Sequence, residues 1–384
     1  MPVAAGASNL FLGRDTKVFL EKDGSIWEIP VLNGYTFNQS TNTTEVTVEE
    51  MSNLAGDSRR GKAMFNDSVS PTDWSFDVYA RPYITEGVHR SVDEALWACM
   101  AAGDPTFASG VTADLDTWDE AITFDATQLD VDFNSSNKVS LGTFNLYFVF
   151  GATQGASDYN FTADGDTTIY KIPNAVVNEA NIPFDVNGIT TISWSGMGGT
   201  IEEVASYDFS AAITSGTTAT NNFIRSRFTA LAATSAVSGA SVTYGITLTG
   251  GNITISNNIN FLTPEELGRV NQPIAHVTGT RSVSGSFSCY LDEATDGPID
   301  MYEDLVNATD AVRNEFALDF YIGGKNSGAD LPVGPGLQFK IPQAHLEIPQ
   351  MNPDDVISLE VNFTAVPTTL AATDEIERVT YVGV

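Results

Sequence analysis

The residues able to do chemistry are few and scattered. The three histidines, His89, His276 and His345, stand far apart in the chain, as do the two cysteines, Cys99 and Cys289. Metal sites of the His-x3-His or Cys-x2-Cys kind need ligands at close, fixed spacing, and none occurs. Two cysteines in a chain of 384 residues are no disulfide scaffold, so both read as small buried hydrophobes. The run Asp114-Leu115-Asp116-Thr117-Trp118-Asp119-Glu120 clusters oxygens of the kind calcium accepts, but it lacks the central Gly and distal Glu of an EF-hand loop and reads as a solvated acidic loop. Ser195, in Trp194-Ser195-Gly196-Met197-Gly198-Gly199, lacks the Gly two positions earlier that a nucleophile elbow requires, and is expected in a turn after a strand. Phosphate-loop and dinucleotide patterns are missing, and nothing singles out one carboxylate pair for glycoside hydrolysis. No enzyme activity, no cofactor and no metal are predicted.

Charge says more. The chain holds 49 acidic and 18 basic residues, net −31, and the acids lie in both halves. Such a surface repels nucleic acid and anionic membranes; solubility alone is the other reading. No run reaches transmembrane length and the first residues lack a secretory pattern, so a protein made in the cytoplasm and staying soluble is predicted.

The elements that would position any site are strands. Charged residues are only 17% of the chain, and Thr, Ser, Asn and Gly fill the surface, which disfavours long helices. Large residues alternate in Trp74-Ser75-Phe76-Asp77-Val78-Tyr79, and further strands are predicted at 44–48, 142–150, 189–194, 241–248 and 252–255. A helix is predicted over 91–102, with Ser91 and Glu94 as a capping box and Gly103 ending it; a second over 300–308; and a helix start at Thr263-Pro264-Glu265-Glu266-Leu267.

One order of elements occurs twice: a Phe76 or Phe287 strand, a helix through Leu96 or Leu305, a strand at Leu146–Phe150 or Phe316–Ile322, a Lys-Ile-Pro strand at Lys171 or Lys340, and a closing strand. The two lysines lie 169 positions apart (340 − 171), and the same offset sets Ile192 with Val361 and Trp194 with Phe363. Two tandem domains are predicted, 1–200 and 201–384. The first carries an insertion near 104–140 and the second a Ser/Thr/Ala-rich lead at 211–239. Each has a long loop before its Phe strand, Asn38 to Asp73 and Ser256 to Ser284. Loops that long are usually functional. Trp27, Trp74, Trp97, Trp118 and Trp194 mostly occupy core-patterned positions, which argues against aromatic platforms for a carbohydrate.

The duplicated β domain, its short helix, its long loop before a Phe-x-x-Tyr strand and its strand behind Lys-Ile-Pro resemble the tail tube proteins of long-tailed bacteriophages, especially those with two fused tube domains. Stretches such as Arg281-Ser282-Val283-Ser284-Gly285-Ser286-Phe287 and Pro349-Gln350-Met351-Asn352-Pro353-Asp354-Asp355 carry the likeness. The resemblance implies a mainly β fold with short helices: two tandem tail-tube-type β-sandwich domains whose sheets join between subunits into a barrel. It implies trimeric pseudo-sixfold rings, with a hexamer disfavoured, stacked into a tube. Partners would be the tail terminator, tape-measure and baseplate or tip proteins. Genomic DNA would pass through an acidic channel without specific binding, and no membrane is involved. The long loops would reach the adjacent ring. Arg59, Arg60 and Lys62, the densest basic cluster, on the first, and Glu265, Glu266 and Arg269 on the second are read as contact residues there; a solvated loop tip is the other reading of the basic cluster. The insertion and the lead would face outward. The alternative that composition allows is a secreted or surface β-sandwich adhesin.

Overall fold

A computed structural model describes residues 11–47, 62–85, 87–101, 122–124, 127–133, 141–152, 159–163, 166–214, 221–235, 241–307, 315–326, 332–353, 356–369 and 372–383. The described chain is mainly β with two short α-helices.

The first hairpin joins β1 (Lys17–Lys22) to β2 (Ser25–Ile29) through Asp23-Gly24, both at positive φ, the two-residue turn whose twist matches the strands. β3 (Thr36–Asn38) is followed by an arm of β4 (Thr41–Thr47) and β5 (Lys62–Val69), then β6 (Thr72–Tyr79). A small hairpin, β7 (Pro82–Thr85) and β8 (Val88–Ser91), leads into α1 (Glu94–Ala101). Next come β9 (Ile122–Phe124), β10 (Leu129–Asp132), β11 (Phe144–Phe150), β12 (Asn160–Thr162), the long β13 (Thr168–Asp185), β14 (Thr191–Gly198), β15 (Glu202–Val204), β16 (Ser206–Asp208) and β17 (Ile213–Thr214). The rest of the chain forms β18 (Ala230–Ser235), β19 (Val242–Ile246), β20 (Leu248–Ser256) and a second arm of β21 (Asn260–Leu262) and β22 (Ala275–Val277). It ends with β23 (Ser282–Tyr290), α2 (Pro298–Asn307), β24 (Phe316–Asn326), β25 (Pro332–Leu346), β26 (Gln350–Pro353), β27 (Ile357–Ala365) and β28 (Arg378–Val382).

Hydrogen bonding gives two antiparallel runs, β2-β1-β11-β13-β14-β6-β3 and β19-β18-β24-β25-β27-β23-β20. A bulge interrupts the first between Phe144 and Leu146 and the second between Phe316 and Leu318. The second half of β13 then pairs with β20 from Glu179↔Ser256 to Asp185↔Gly250, so the two runs share one sheet.

Apolar residues at every second position fill the core. Trp74, Phe76 and Val78 of β6, Ile192 and Trp194 of β14, and Val283, Phe287 and Cys289 of β23 are buried there. The described tryptophans Trp27, Trp74, Trp97 and Trp194 are all buried; Trp118 lies outside the described residues. Three cross-strand pairs set an aromatic over a glycine: Trp74 over Gly196, Phe363 over Gly285 and Phe184 over Gly251. The missing Cβ makes room for the ring opposite.

Several expectations are corrected. Ser195 sits in mid-strand in β14, because pairing with β6 continues to Gly198↔Thr72. Pro264-Glu265-Glu266-Leu267 starts no helix; the segment is the turn between β21 and β22, which pair antiparallel. Helix α1 begins at Glu94, three residues after Ser91, which ends β8; the Ser91 amide still donates to the Glu94 carboxylate. Thr247 breaks the strand expected at 241–248 into β19 and β20. The long loops are hairpin arms rather than unstructured segments, since Thr41–Thr47 pairs with Lys62–Val69 and Asn260–Leu262 with Ala275–Val277. The lead at 211–239 includes β18, which pairs with β24 as β1 pairs with β11. The acidic run at 114–120 and Gly103 lie outside the described residues.

Candidate functional site

Eight adjacent strands, β3-β6-β14-β13-β20-β23-β27-β26, form one wall spanning both runs. Its inner face is the core. Its other face carries Ser75, Ser193, Ser195, Asn181, Asn252, Thr254, the serines at 282, 284, 286 and 288, Asn362 and Thr364. Carboxylates on it are Asp73, Asp77, Glu179, Asp185 and Glu360. None of β3, β6, β14, β20, β23, β26, β27 or residues 179–185 of β13 contains Lys, Arg or His. Short polar groups bond across the strands: Thr254 Oγ1 donates to Asn181 Oδ1 at 3.1 Å, Ser286 Oγ to Asn252 Oδ1 at 3.1 Å, and Thr36 and Ser75 share a bond of 2.8 Å. A surface without cations has nothing to hold a phosphate. Among the described residues no group of three His, Cys, Asp or Glu could bind a metal, and no helix is long and apolar enough to cross a membrane.

Behind the wall a segment of the first half is clasped to the last strand. β10 pairs with β28, and β28 pairs on its other edge with β25. The described part of the 104–140 insertion is therefore sheet, not outward decoration: Leu129, Val131 and Phe133 are buried with Val379 and Tyr381. Sequence reasoning missed this, because β10 and β28 are short and hundreds of positions apart. The clasp closes on buried polar groups. Trp97 Nε1 donates to Tyr381 Oη at 2.9 Å and to Asp93 at 3.1 Å, and Tyr381 Oη donates to Asp93 at 3.0 Å. The Gly383 amide donates to His89 Nδ1 at 3.0 Å. Arg281 donates to the Phe133 carbonyl at 3.2 Å and the Thr373 carbonyl at 2.6 Å and pairs with Glu375 at 3.0 Å. Arg90 and Glu94 form a buried ion pair beside them.

Burial pushes the Asp93 carboxyl up to about 6, against hydrogen bonds from Ser91, Tyr381 and Trp97 that favour its charged form. Arg81 is the cation whose field reaches it. The folded chain thus holds this proton more tightly than the unfolded chain, so the associated stability is full below the ordinary carboxylate range and is lost as pH rises through about 6. Between about pH 5 and about pH 8 the wild type is expected to lose roughly 1.4 kcal/mol relative to Asp93→Asn, which has no proton to lose there. Urea midpoints of both proteins at the two pH values check this; parallel pH dependence would remove Asp93 as the cause.

The arms leave one end of the wall, where β3, β6, β20 and β23 begin or end, and they touch each other. The Val69 amide donates to the Asn271 carbonyl at 2.8 Å and the Asn271 amide to the Asp67 carbonyl at 3.1 Å. Glu265, Glu266 and Arg269 fall in the second arm's turn, where Arg269 pairs with Glu266 at 2.7 Å. Arg59 and Arg60 lie outside the described residues, as does the side chain of Lys62, which opens β5. What the sequence reading missed is apolar: Met64, Phe65, Leu262, Leu267, Val270 and Ile274 are exposed along the arms. At the opposite end of the wall, Val186, Ile189, Tyr290, Val356 and Ile357 are exposed around the turns. Exposed apolar groups thus lie at both ends of the wall.

The phage tail tube protein family model matches residues 33–365. The tail tube protein pb6 of Escherichia phage T5 is 29% identical over 380 residues, covering 96% of this chain and 75% of that protein. With a mainly β sheet whose wall bears no cation and whose ends are apolar, the chain belongs to the phage tail tube protein family and is a structural component of the virion tail.

Proposed function

We propose that the chain polymerises into a tail tube whose channel is lined by the cation-free face of the eight-strand wall, and that genomic DNA passes along this face without specific binding. The observation that carries this reading is that face: hydroxyls, amides and five carboxylates over both runs and no basic residue in its strands. Carboxylates repel the DNA phosphates, and short polar groups keep the surface wet without gripping it.

On this reading the two strand runs are two copies of one tube unit, the first ending near residue 200. Support comes from the identical strand order and the bulge repeated at Phe144 and Phe316. The cross-strand register refines the match: Trp194 stands opposite Phe76 and Val361 opposite Phe287, so Val361 rather than Phe363 corresponds to Trp194. The aromatic–glycine pair then occurs in both copies with the partners exchanged, Trp74 over Gly196 and Phe363 over Gly285, which keeps the volume between the strands. At about 4.8 Å per strand the wall is roughly 38 Å wide, so three chains close a cylinder of about 37 Å diameter, whereas six would double it. Stacking is heterologous, arms against the turns of the next ring, and so propagates as a filament. The tail terminator, tape-measure and tip proteins would cap and fill such a tube. The adhesin alternative has no support from the family match.

Negative-stain microscopy of the concentrated protein is expected to show hollow tubes with a regular axial repeat. Ser286→Arg with Asn181→Arg is expected to give the same tubes but to retain duplex DNA at low salt, releasing it as salt rises. Compact monomers at high concentration would overturn the tube, and DNA retention by the wild type would overturn the passive channel.

A further inference from the structure

We infer that neighbouring chains join through β26 of one chain and β3 of the next, in the register that sets Gln350 opposite Asn38, and that this seam is weaker than the one inside the chain. The inference rests on the tube reading above and takes the internal β13–β20 joint as its template.

The equivalences follow from position. Asn181 lies as far beyond Lys171 as Gln350 lies beyond Lys340 (181 − 171, 350 − 340), and each pairs with the closing strand, Asn181 with Ser193 and Gln350 with Glu360. Thr254 is opposite Ser284, and Asn38 opposite Asp73; these partners stand equally far before Phe287 and Phe76 (287 − 284, 76 − 73). Inside the chain Asn181 faces Thr254, Ile182 faces Ile253 and Pro183 faces Asn252. Transferred to the seam, these pairs become Gln350 with Asn38, Met351 with Phe37 and Asn352 with Thr36.

The side chains fit the transfer. Asn181 and Thr254 share a hydrogen bond of 3.1 Å, and Gln350 and Asn38 can exchange one of the same kind. Ile182 and Ile253 are fully buried at the internal joint, while Met351 is 41% exposed and Ile348, just before it, 59% exposed. Met351 lies bare where its counterpart Ile182 is covered, and the far edges of β26 and β3 bear no other strand among the described residues. A free edge with apolar side chains beneath it is a template for another strand.

The two joints differ behind the wall. Inside the chain β10 and β28 add a second ladder, with β10 supplied by the segment between Ala101 and Phe144. At the seam the corresponding segment between α2 and β24 is 8 residues long (308–315), against 42 between Ala101 and Phe144 (102–143). On this inference no ladder like β10–β28 backs the seam, so a ring comes apart into whole chains.

Asn38→Cys with Gln350→Cys, and separately Thr36→Cys with Asn352→Cys, place opposed thiols on the wall's polar face within disulfide reach. Oxidation of assembled tubes by oxygen with copper–phenanthroline, two thiols giving up two electrons and two protons to oxygen, is expected to link chains into closed covalent trimers. Thr36→Cys with Gln350→Cys, two residues out of register, is expected to react at least tenfold more slowly. Hydrogen exchange on the wild type is the second measurement: amides of Thr36–Asn38 and Gln350–Pro353 are expected to slow at least tenfold on assembly, while those of β10 and β28 are already slow in the monomer. Normal tubes whose in-register pairs react no faster than the displaced pair, or whose β3 and β26 amides stay unchanged, overturn the seam and leave the tube reading standing. Absence of wild-type tubes overturns both.

Discussion

Gly285→Ala is expected to destabilise the protein by about 3 kcal/mol, one of the largest effects a single methyl group can have in this chain. A Cβ at Gly285 would overlap the Asn252 backbone oxygen and come within 2.8 Å of the Phe363 ring. Both neighbours are fixed, Asn252 by the β20–β23 ladder and Phe363 by the core. No rotamer change relieves a backbone contact, so the strands must part where the sheet passes from β20 to β27. Ser286→Thr, one residue along on the polar face, adds a similar volume without facing the core, keeps a hydroxyl for Asn252 and is expected to stay within about 0.5 kcal/mol of the wild type. In a Phe363→Ala background, itself costly because that ring is buried, adding Gly285→Ala is expected to cost less than it does in the wild type but not nothing, because the Asn252 oxygen remains. Urea unfolding of these variants checks this. Equal stability of Gly285→Ala and the wild type would mean that the ring does not seal the glycine.

Tyr381→Ala is expected to cost about 3–5 kcal/mol, the range for removing a fully buried aromatic. Tyr381→Phe is expected to cost about 1–3 kcal/mol, because it keeps the ring and strips Asp93 and Trp97 of the hydroxyl between them. The loss should be local. Hydrogen exchange is expected to speed up in β28 and β10 while the β20–β23 ladder keeps its protection, since the clasp and the wall are held by separate bonds. A uniform rise over both regions would show that the clasp is no separate unit. In the proposed tube the weakened clasp would leave the internal joint a single layer like the proposed seam, so the Tyr381 variants are expected also to give tubes that bend or vary in diameter.

Much of the fold was legible because strand patterning is local. The alternation in Trp74–Tyr79 predicted which face of β6 is buried, and Phe287 of β23 is buried as its pattern predicted. The small hydroxyl and amide residues between these large ones are the polar wall itself. Helix α1 was placed to within three residues; the error arose because Glu94 caps from inside the helix while its carboxylate is claimed by Arg90. The exposed apolar residues of the arms escaped the sequence reading. A basic cluster is conspicuous in an acidic chain and drew attention to Arg59, Arg60 and Lys62. The exposed Met64, Phe65 and Ile274 were not conspicuous, because apolar residues in a strand pattern read as core until the sheet shows that nothing covers them.

The sequence by itself determined the mainly β class, the repeated order of elements and the absence of cations along the wall, since composition and period-two alternation act residue by residue. The tertiary structure alone decided that β13 passes from one run to the other, that β10 meets β28 and that the long loops are joined arms. Those pairings bring together segments tens to hundreds of residues apart. Their closure entropy is repaid only by the whole ladder and core forming at once, so no local pattern announces them.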